Sequence, residues 1–287
     1  MKRLALLLAA MGIVSAAAMA EAPTLKVTNV GQEIEIDNTS GGEDIGESVS
    51  IITSVGLSYG DWSFNVAGGK FWSWDSDDLD HKDGRLELDA WRKINDNLKL
   101  GYRLRAQDDF DRHYARWDYS NGWFWSAGDI WYEAVNSNVD GKHNDMWRGE
   151  VYPLGVKYGM LKAGWFVDYT QQLGDLKTGE KETTFEHQLR VFADLYKSER
   201  LALSLEGRFT IAEDSEYKDH SVEDSYEIKD FGRTRVYLGA NYAATDNLDV
   251  YVKYGYEINN REYINKDGDY ESDKYYGEFV AGWNYKF

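Results

Sequence analysis

The stretch Gly56–Tyr59 reads GLSY, and three later stretches repeat its outline: GVKY at Gly155–Tyr158, GANY at Gly239–Tyr242 and GWNY at Gly282–Tyr285. Each closes a segment in which apolar residues occupy every second position, which is the period of a β-strand. In such a strand the tyrosine lies on the apolar face and the glycine three residues earlier lies on the other face. Tyrosines repeated at one end of alternating strands are typical of an aromatic girdle at a bilayer boundary. The pattern therefore predicts a membrane β-barrel.

Similar alternation runs through most of the chain. In Leu248–Ile258, for example, Val250 and Tyr254 fall on one face, and Asp249 and Lys253 fall on the other. A soluble sandwich would show the same period, so alternation predicts strands without deciding the architecture. We predict fourteen strands, with twelve as the alternative. The fourteen are Leu25–Asp37, Ser48–Tyr59, Trp62–Trp74, Arg85–Ile94, Leu98–Gln107, Tyr114–Ser120, Trp123–Val135, Trp147–Tyr158, Met160–Thr170, Thr184–Tyr196, Leu201–Ala212, Phe231–Ala243, Leu248–Ile258 and Lys274–Phe287.

The lengths of the connections distinguish a barrel from a sandwich. Connections after even-numbered strands are short, whereas most connections after odd-numbered strands are long and acidic. This arrangement is typical of outer-membrane barrels, so the predicted fold is all-β, a transmembrane antiparallel up-and-down barrel. Pro153 lacks an amide donor and predicts a bulge or an early turn. The predicted periplasmic turns are Asn95–Asn97, Asn121–Gly122 and Thr245–Asn247, and the predicted external loops are Asp75–Gly84, Glu213–Asp230 and Asn259–Asp273.

The N-terminus has the pattern of a secretory signal peptide. Lys2 and Arg3 precede an apolar run that ends at Ala18, and a small-x-small cleavage site follows at Ala20. The run is too short for a transmembrane helix. We therefore expect a signal peptide at residues 1–20, cleaved near Ala20, and a barrel at residues 21–287.

The composition suits such a barrel and disfavours other classes. Aromatic residues make up 15% of the chain, and only two residues are prolines, so long sheet ladders can form. The chain contains no cysteine and therefore no disulfide or thiolate metal site. The formal charge of −18 becomes −20 when Lys2 and Arg3 leave with the signal peptide, which disfavours nucleic acid as a partner. We expect no cofactor and no bound metal.

The chain ends in Phe279-x-Ala281-x-Trp283-x-Tyr285-x-Phe287. Together with the signal peptide and the alternating strands, this ending resembles that of Gram-negative outer-membrane porins. In size and strand number the chain is similar to small porins, including acidic-oligosaccharide channels, and more weakly to small fusobacterial outer-membrane proteins. The resemblance implies a passive channel for ions and small hydrophilic solutes, embedded in outer-membrane lipid. It also implies that Tyr285 and Phe287 form an assembly signal for the barrel-assembly machinery. The sequence leaves monomer and homo-oligomer open.

Registering each strand by its apolar face assigns many charged residues to the interior, because an arginine or lysine facing lipid costs about 2–4 kcal/mol at the bilayer midplane. They would form either a selective pore lining or cross-strand pairs that neutralise one another. Three of them, here called the arginine cluster, lie on adjacent strands: Arg103, Arg105 and Arg116. This cluster would concentrate positive field and favour anionic solutes, against the cation bias of the acidic loops. The predicted pore-lining residues are Arg103, Arg105, Arg116, Arg190, Arg208, Arg233, Arg235, Lys162, Lys253, Asp129, Glu133, Asp168 and Glu206.

Seven aromatic residues also register inward. They would form either a path along which sugar rings slide, or part of the wall. A structural or receptor barrel with a lumen blocked by folded-in loops is therefore the rival to a channel. The seven residues are Tyr114, Trp123, Trp125, Trp131, Phe166, Phe192 and Tyr251.

Calcium binding and hydrolysis receive less support from the sequence. The loop Asn265–Glu271 has oxygen ligands at alternate positions but lacks the glycine and glutamate spacing of an EF-hand. A hydrolase would need a histidine beside a hydroxyl or a carboxylate. His187 has Leu189 as its same-face neighbour, and the acidic residues around His113 are typical of a hydrated loop. We therefore predict that the protein is not an enzyme.

Overall fold

The computed structural model describes residues 23–37, 48–75, 78–136, 144–218, 225–264 and 270–287. The predicted signal peptide at residues 1–20 lies outside these ranges, as do residues 265–269 of the loop considered for calcium. Within the described ranges, no helix is long and apolar enough to cross a bilayer.

The strands of the described chain form one antiparallel sheet. They are β1 (Lys26–Asp37), β2 (Ser48–Tyr59), β3 (Trp62–Asp75), β4 (Asp78–Lys93), β5 (Leu98–Ala106), β6 (Phe110–Asn121), β7 (Phe124–Val135), β8 (Met146–Tyr158), β9 (Leu161–Gln172), β10 (Lys181–Lys197), β11 (Leu201–Tyr217), β12 (Ser225–Lys229), β13 (Arg233–Ala243), β14 (Leu248–Ile264) and β15 (Tyr270–Lys286). Because β10 pairs with β11 and β15 pairs back to β1, the sheet closes into a barrel.

Strands β12 and β13 together occupy one strand position of the barrel wall, and such a position is here called a stave. Both pair with β11 on one side and β14 on the other, with β12 nearer the outer ends of these strands. Between the pieces, Asp230 and Phe231 have φ angles of 50° and 65°, a left-handed conformation that interrupts the ladder. The barrel therefore has fourteen staves, as predicted, rather than the alternative of twelve.

Several strands extend beyond their predicted ends, which corrects the assignment of the outer loops. The regions Asp75–Gly84, Glu213–Asp230 and Asn259–Asp273, predicted as loops, are largely strand in the residues that the structure describes. The reason is that backbone pairing continues past the apolar band, where both faces meet water and apolar alternation is no longer required. The sixth strand likewise begins at Phe110 rather than Tyr114, so the connection from β5 to β6 is short.

The alternation in β14 separates the outside of the barrel from the inside. Alternate residues from Val250 to Ile258 are 38–48% exposed on the outer surface, whereas Glu257 between them is 2% exposed. An apolar outside and a polar inside are the reverse of a soluble protein and typical of a membrane barrel. The tyrosines of the four repeated stretches lie at the rim with the short turns and are 42–87% exposed: Tyr59, Tyr158, Tyr242 and Tyr285.

The short-turn rim follows the expected turn chemistry. Gly60, Gly122 and Gly159 have φ angles of 56°, 58° and 57°, which tight hairpin turns require and which other residues adopt only with strain. Within β8, the register against β9 shifts between Val151 and Leu154. This shift confirms the bulge predicted at Pro153.

Glycines on the inner face receive aromatic rings from neighbouring strands. A Cβ atom on Gly155 would lie 2.0 Å from Cε2 of Trp125, and one on Gly282 would lie 2.4 Å from the hydroxyl oxygen of Tyr251. Both glycines belong to the repeated Gly-x-x-Tyr stretches. Their lack of a side chain therefore lets a ring pack flat against the inner wall.

Candidate functional site

Each member of the arginine cluster contacts a carboxylate inside the barrel. Arg103 Nη2 lies 2.6 Å from Asp89 Oδ2, and Arg105 Nε lies 2.9 Å from Glu87 Oε2. These residues are cross-strand neighbours, because Arg103 pairs with Asp89 and Arg105 pairs with Glu87 in the register of β4 and β5.

Arg116 completes the cluster from β6. It lies 2.7 Å from Asp89 and 2.7 Å from Asp129, and its guanidinium carbon lies 4.7 Å from the ring centroid of Trp91. Three guanidinium groups therefore meet three carboxylates, so the positive field predicted for the arginine cluster is largely cancelled at short range.

Three other arginines lie directly opposite one another on β10, β11 and β13, and we call them the arginine row: Arg190, Arg208 and Arg235. Arg208 Nε donates to Glu206 Oε1 at 2.6 Å, and Arg235 Nε donates to Glu257 Oε2 at 2.5 Å. The arginine row thus places three guanidinium groups side by side around the wall.

Two more predicted residues contact the same carboxylates. Arg233 Nε donates to Glu257 Oε1 at 3.1 Å, and its Nη1 lies 3.4 Å from Glu186. Lys253 Nζ lies 3.8 Å from Glu206. Cation and carboxylate therefore alternate around this part of the interior.

A row of carboxylates runs around the wall nearer the outer rim, which is the rim opposite the short turns. Its members lie opposite one another on β7 to β11, and we call them the acidic row: Asp129, Glu150, Asp168, Glu186 and Glu213. On β10, Glu186 and Arg190 are four residues apart, which corresponds to about 13 Å along an extended strand. The two rows therefore divide this wall into an acidic level and a basic level.

The interior contains two cavities of similar size. One has a volume of about 460 Å³ and is lined by the arginine row and by four members of the acidic row, with Arg148 and Arg233. The other, of about 450 Å³, lies against β1 to β5 and β14 to β15 and is lined by Glu33, Glu35, Glu87, Arg85 and Arg105. The first cavity holds the larger group of cations.

Two of the predicted cations form no ion pair with the described residues. Arg190 contacts Gln188, Tyr152 and the ring of Phe166. Lys162 Nζ lies 3.6 Å from a ring centroid of Trp125. Both positive charges therefore rest on aromatic rings.

The sequence prediction missed several charged residues of the interior. Arg148 and Glu150 lie before the bulge at Pro153, so an assignment that starts from Tyr158 puts them on the wrong face. Arg112, whose Nε lies 2.5 Å from the fully buried Glu133, preceded the predicted sixth strand. Arg85, the first residue of the predicted fourth strand, could have been predicted to point inward, because its neighbour Leu86 is apolar and faces outward.

Most of the aromatic residues predicted to point inward are packed into the wall. Tyr114, Trp125, Trp131 and Phe166 are 2–4% exposed, so their faces are covered. The prediction for Trp123 is wrong, because this residue lies in the turn before β7 and is 67% exposed. Strand pairing ends there, so the alternation no longer determines its direction.

The histidines considered for hydrolysis contact other groups. His187 stacks on Trp165 with ring centroids 6.0 Å apart and meets the edge of Phe185 at 4.3 Å. His113 Nδ1 lies 2.7 Å from the hydroxyl of Tyr102, and both side chains are exposed. Neither contact forms a histidine–carboxylate couple.

The predicted assembly signal lies at the end of β15. The rings of Tyr285 and Phe287 are 5.2 Å apart at an interplanar angle of 72°, and both side chains are exposed. The Phe287 amide donates to the Thr28 carbonyl at 3.0 Å, which holds the chain end against the start of β1.

Comparison with known proteins supports the fold. No family model matches the chain, and no curated protein sequence matches it. A solved bacterial polysaccharide outer-membrane secretin is 13% identical and superposes with a TM-score of 0.53, over 90% of this chain and 98% of the secretin. The CymD monoaromatic hydrocarbon channel is 8% identical, with a TM-score of 0.52 over 91% of this chain and 89% of CymD. At these identities the likeness shows a shared barrel fold.

Proposed function

We propose that this protein is a passive diffusion channel of the outer membrane for small hydrophilic solutes, without enzymatic activity. The observation that carries the proposal is the closed barrel with an apolar outside and an ionised inside, which suits a lipid exterior and a hydrated lumen. Fourteen staves lie between the eight-stranded barrels that side chains fill and the 16–18-stranded barrels with an aqueous channel.

The two ends of the chain support the location. The N-terminal pattern directs export with cleavage near Ala20, and the exposed aromatic pair Tyr285 and Phe287 suits recognition by the barrel-assembly machinery. Outer-membrane lipid would then surround the exposed apolar band.

We further propose a preference for anionic solutes. The support comes from Arg190 in the arginine row, which forms no ion pair among the described residues, whereas every member of the arginine cluster meets a carboxylate at 2.6–2.9 Å. Oligosaccharides draw less support as the solute, because four of the seven rings predicted to stack on sugars are 2–4% exposed.

A blocked structural or receptor barrel is the second candidate. Its support is the burial of some interior groups: Glu133 and Thr210 are 0% exposed. Such packing would leave a narrow passage or none.

Conductance in planar lipid bilayers separates the two candidates. The purified, folded barrel should produce discrete conductance steps in potassium chloride. Folded protein that inserts without conducting would exclude the channel and leave the blocked barrel.

Reversal potentials test the selectivity. Replacing the arginine cluster with glutamine removes three positive charges and leaves its carboxylates unpaired, so the shift towards cations would not by itself identify an anion site. The informative comparison adds the matching changes Glu87→Gln, Asp89→Asn and Asp129→Asn, which should restore the wild-type reversal potential if the cluster is a neutral part of the wall. Glutamine throughout the arginine row, combined with the matching changes Glu206→Gln and Glu257→Gln, should instead still reduce anion preference, because Arg190 has no ion-pair partner among the described residues. An unchanged reversal potential in the arginine-row variant would contradict the anionic preference.

A further inference from the structure

The contacts of Arg190 set it apart from most arginines inside the barrel. Among the described residues, Arg190 has no carboxylate partner, whereas the other members of the arginine row each contact one. Arg190 is partly buried, and charges withdrawn from water in proteins are usually paired, so its fork is left to water or to an anion from solution. We propose that Arg190 forms a binding subsite for an oxyanion group, a carboxylate or a phosphate. This inference rests on the proposed channel and specifies how it would select its solutes.

The guanidinium group of Arg190 is held in one orientation. Its Nε donates to Gln188 Oε1 at 2.7 Å, its Nη1 donates to the Tyr152 hydroxyl at 3.1 Å, and its central carbon lies 3.3 Å from the ring centroid of Phe166. Gln188 is fixed in turn, because its Nε2 donates to Glu186 at 2.6 Å and to Thr210 at 3.2 Å. Because arginine loses little freedom when its fork is already oriented, this arrangement favours binding.

Arg190 has donors left for a ligand. A guanidinium group carries five N–H donors, and the contacts with Gln188 and Tyr152 use two of them. The fork lines the cavity of about 460 Å³, which is larger than an inorganic phosphate or an acetate requires. A planar fork with free donors matches the paired oxygens of a carboxylate or phosphate.

The local charge favours an anion over a cation at this position. Arg208 lies directly opposite Arg190 and adds a second guanidinium. Five carboxylates line the same cavity, but four of them lie within 3.4 Å of an arginine other than Arg190 and Arg208. An anion between Arg190 and Arg208 would therefore reduce the repulsion between two adjacent positive charges.

Arg85 provides a matched control in the other cavity. It also rests on a phenylalanine, 4.3 Å from the ring centroid of Phe71, and its Nε donates to Gln107 Oε1 at 3.3 Å. It likewise forms no ion pair with the described part of the chain, but carboxylates outnumber arginines in the lining of its cavity by three to two, whereas five of each line the cavity beside Arg190. We therefore place the oxyanion subsite at Arg190 and not at Arg85.

The first experiment measures the block of chloride conductance by inorganic phosphate and by acetate in planar bilayers. Wild-type channels should be blocked at millimolar phosphate. Arg190→Gln should raise the half-blocking concentration by roughly ten-fold or more, the scale of a lost charge-assisted hydrogen bond. Arg85→Gln should change it by less than about two-fold, since the charge lost is similar but lies away from the subsite. Equal effects in the two variants, or no block of the wild type, would overturn the subsite.

The second experiment separates the subsite from the channel itself. Calorimetric titration of the detergent-folded barrel with phosphate measures binding without conduction. Binding that Arg190→Gln abolishes would support the subsite even in a barrel that does not conduct, and conduction without binding would refute the subsite while the channel stands. Arg190→Lys keeps the charge but removes the fork, so it should also lose most of the affinity. Wild-type affinity in this variant would refute recognition by the fork, and it serves as the test where Arg190→Gln does not fold.

Discussion

Adding one methyl group at Gly155 should destabilise the barrel. The new Cβ would lie 2.0 Å from Cε2 and 2.3 Å from Nε1 of Trp125, far inside contact distance. The ring has little room to retreat, because Lys162 Nζ covers its face at 3.6 Å and the ring centroid of Tyr152 lies 4.8 Å from its own. Overpacking costs about 1–3 kcal/mol, and the hydrogen bond from Trp125 Nε1 to the Val156 carbonyl contributes about 1 kcal/mol more. We expect Gly155→Ala to lower the free energy of unfolding by about 2–4 kcal/mol.

Urea unfolding of the barrel folded in lipid vesicles measures this change, with electrophoretic mobility as a second probe of folding. Gly149→Ala on the same strand is the control, because the nearest neighbouring atom to its new Cβ would be Ile130 Cγ1 at an ordinary contact distance of 3.6 Å. It should leave stability unchanged or slightly increased, since alanine reduces the entropy of the unfolded chain. The Trp125→Leu background should relieve most of the cost of Gly155→Ala. Equal effects of the two alanine substitutions, or no relief in that background, would refute the packing argument.

Three further outcomes are expected. Glu257→Gln should destabilise the barrel by about 2–3 kcal/mol in the same urea assay, because Arg233 and Arg235 both lose an ionised partner at a site 2% exposed; a change below about 0.5 kcal/mol would contradict this. Hydrogen bonds from the Tyr132 hydroxyl and the Val135 amide lower the pKa of Asp145, so the contact should persist above the ordinary pKa of about 3.9 and be lost as pH falls through the lower folded value. Hydrogen exchange at the Val135 amide measures the loss: above the folded pKa of Asp145 this amide should be better protected than in the Asp145→Asn variant, and below that pKa the difference should disappear. A difference in protection that does not change with pH would contradict the prediction. External protease on intact cells should cut the outer connections such as residues 173–180 before the short turns, and cleavage first at Asn121–Gly122 would invert the topology.

The sequence predicted the strands well because lipid imposes a strict period of two on the outer face. Every predicted strand corresponds to an observed stave, and the segment from Ser48 to Tyr59 matches at both ends. The outer ends were predicted less well, because above the apolar band neither face must be apolar. There β4 begins at Asp78 and β14 continues to Ile264.

The candidate site was predictable in composition but not in pairing. Alternation places Arg103 and Asp89 on inner faces, yet it does not say that they lie opposite each other. Their contact depends on the register of β4 against β5, which the hairpin turn sets and which a one-residue slip would reverse. Knowing which charged residues point inward therefore does not tell which of them form ion pairs and which do not.

Bulges determine which carboxylates belong to the acidic row. On β11 the register against β10 shifts between His187 and Gln188, and Ile211 is 46% exposed at this irregularity. Beyond the shift Glu213 pairs with Glu186, so the bulge adds a fifth carboxylate to the acidic row. The bulge at Pro153 acts in the same way for Glu150.

The arginine row lies on the other side of both irregularities, and so its members keep the simple alternation that the sequence shows. A solute that enters from the outer rim would meet the acidic row first and the arginine row about 13 Å further along the strands. The charged groups themselves lie closer together than this, because Gln188 Oε1 accepts from Arg190 at 2.7 Å while its Nε2 donates to Glu186 at 2.6 Å, so the two levels act on a passing ion together. Selectivity should therefore depend on the balance between the two levels, to which Arg190 contributes a positive charge that forms no ion pair among the described residues.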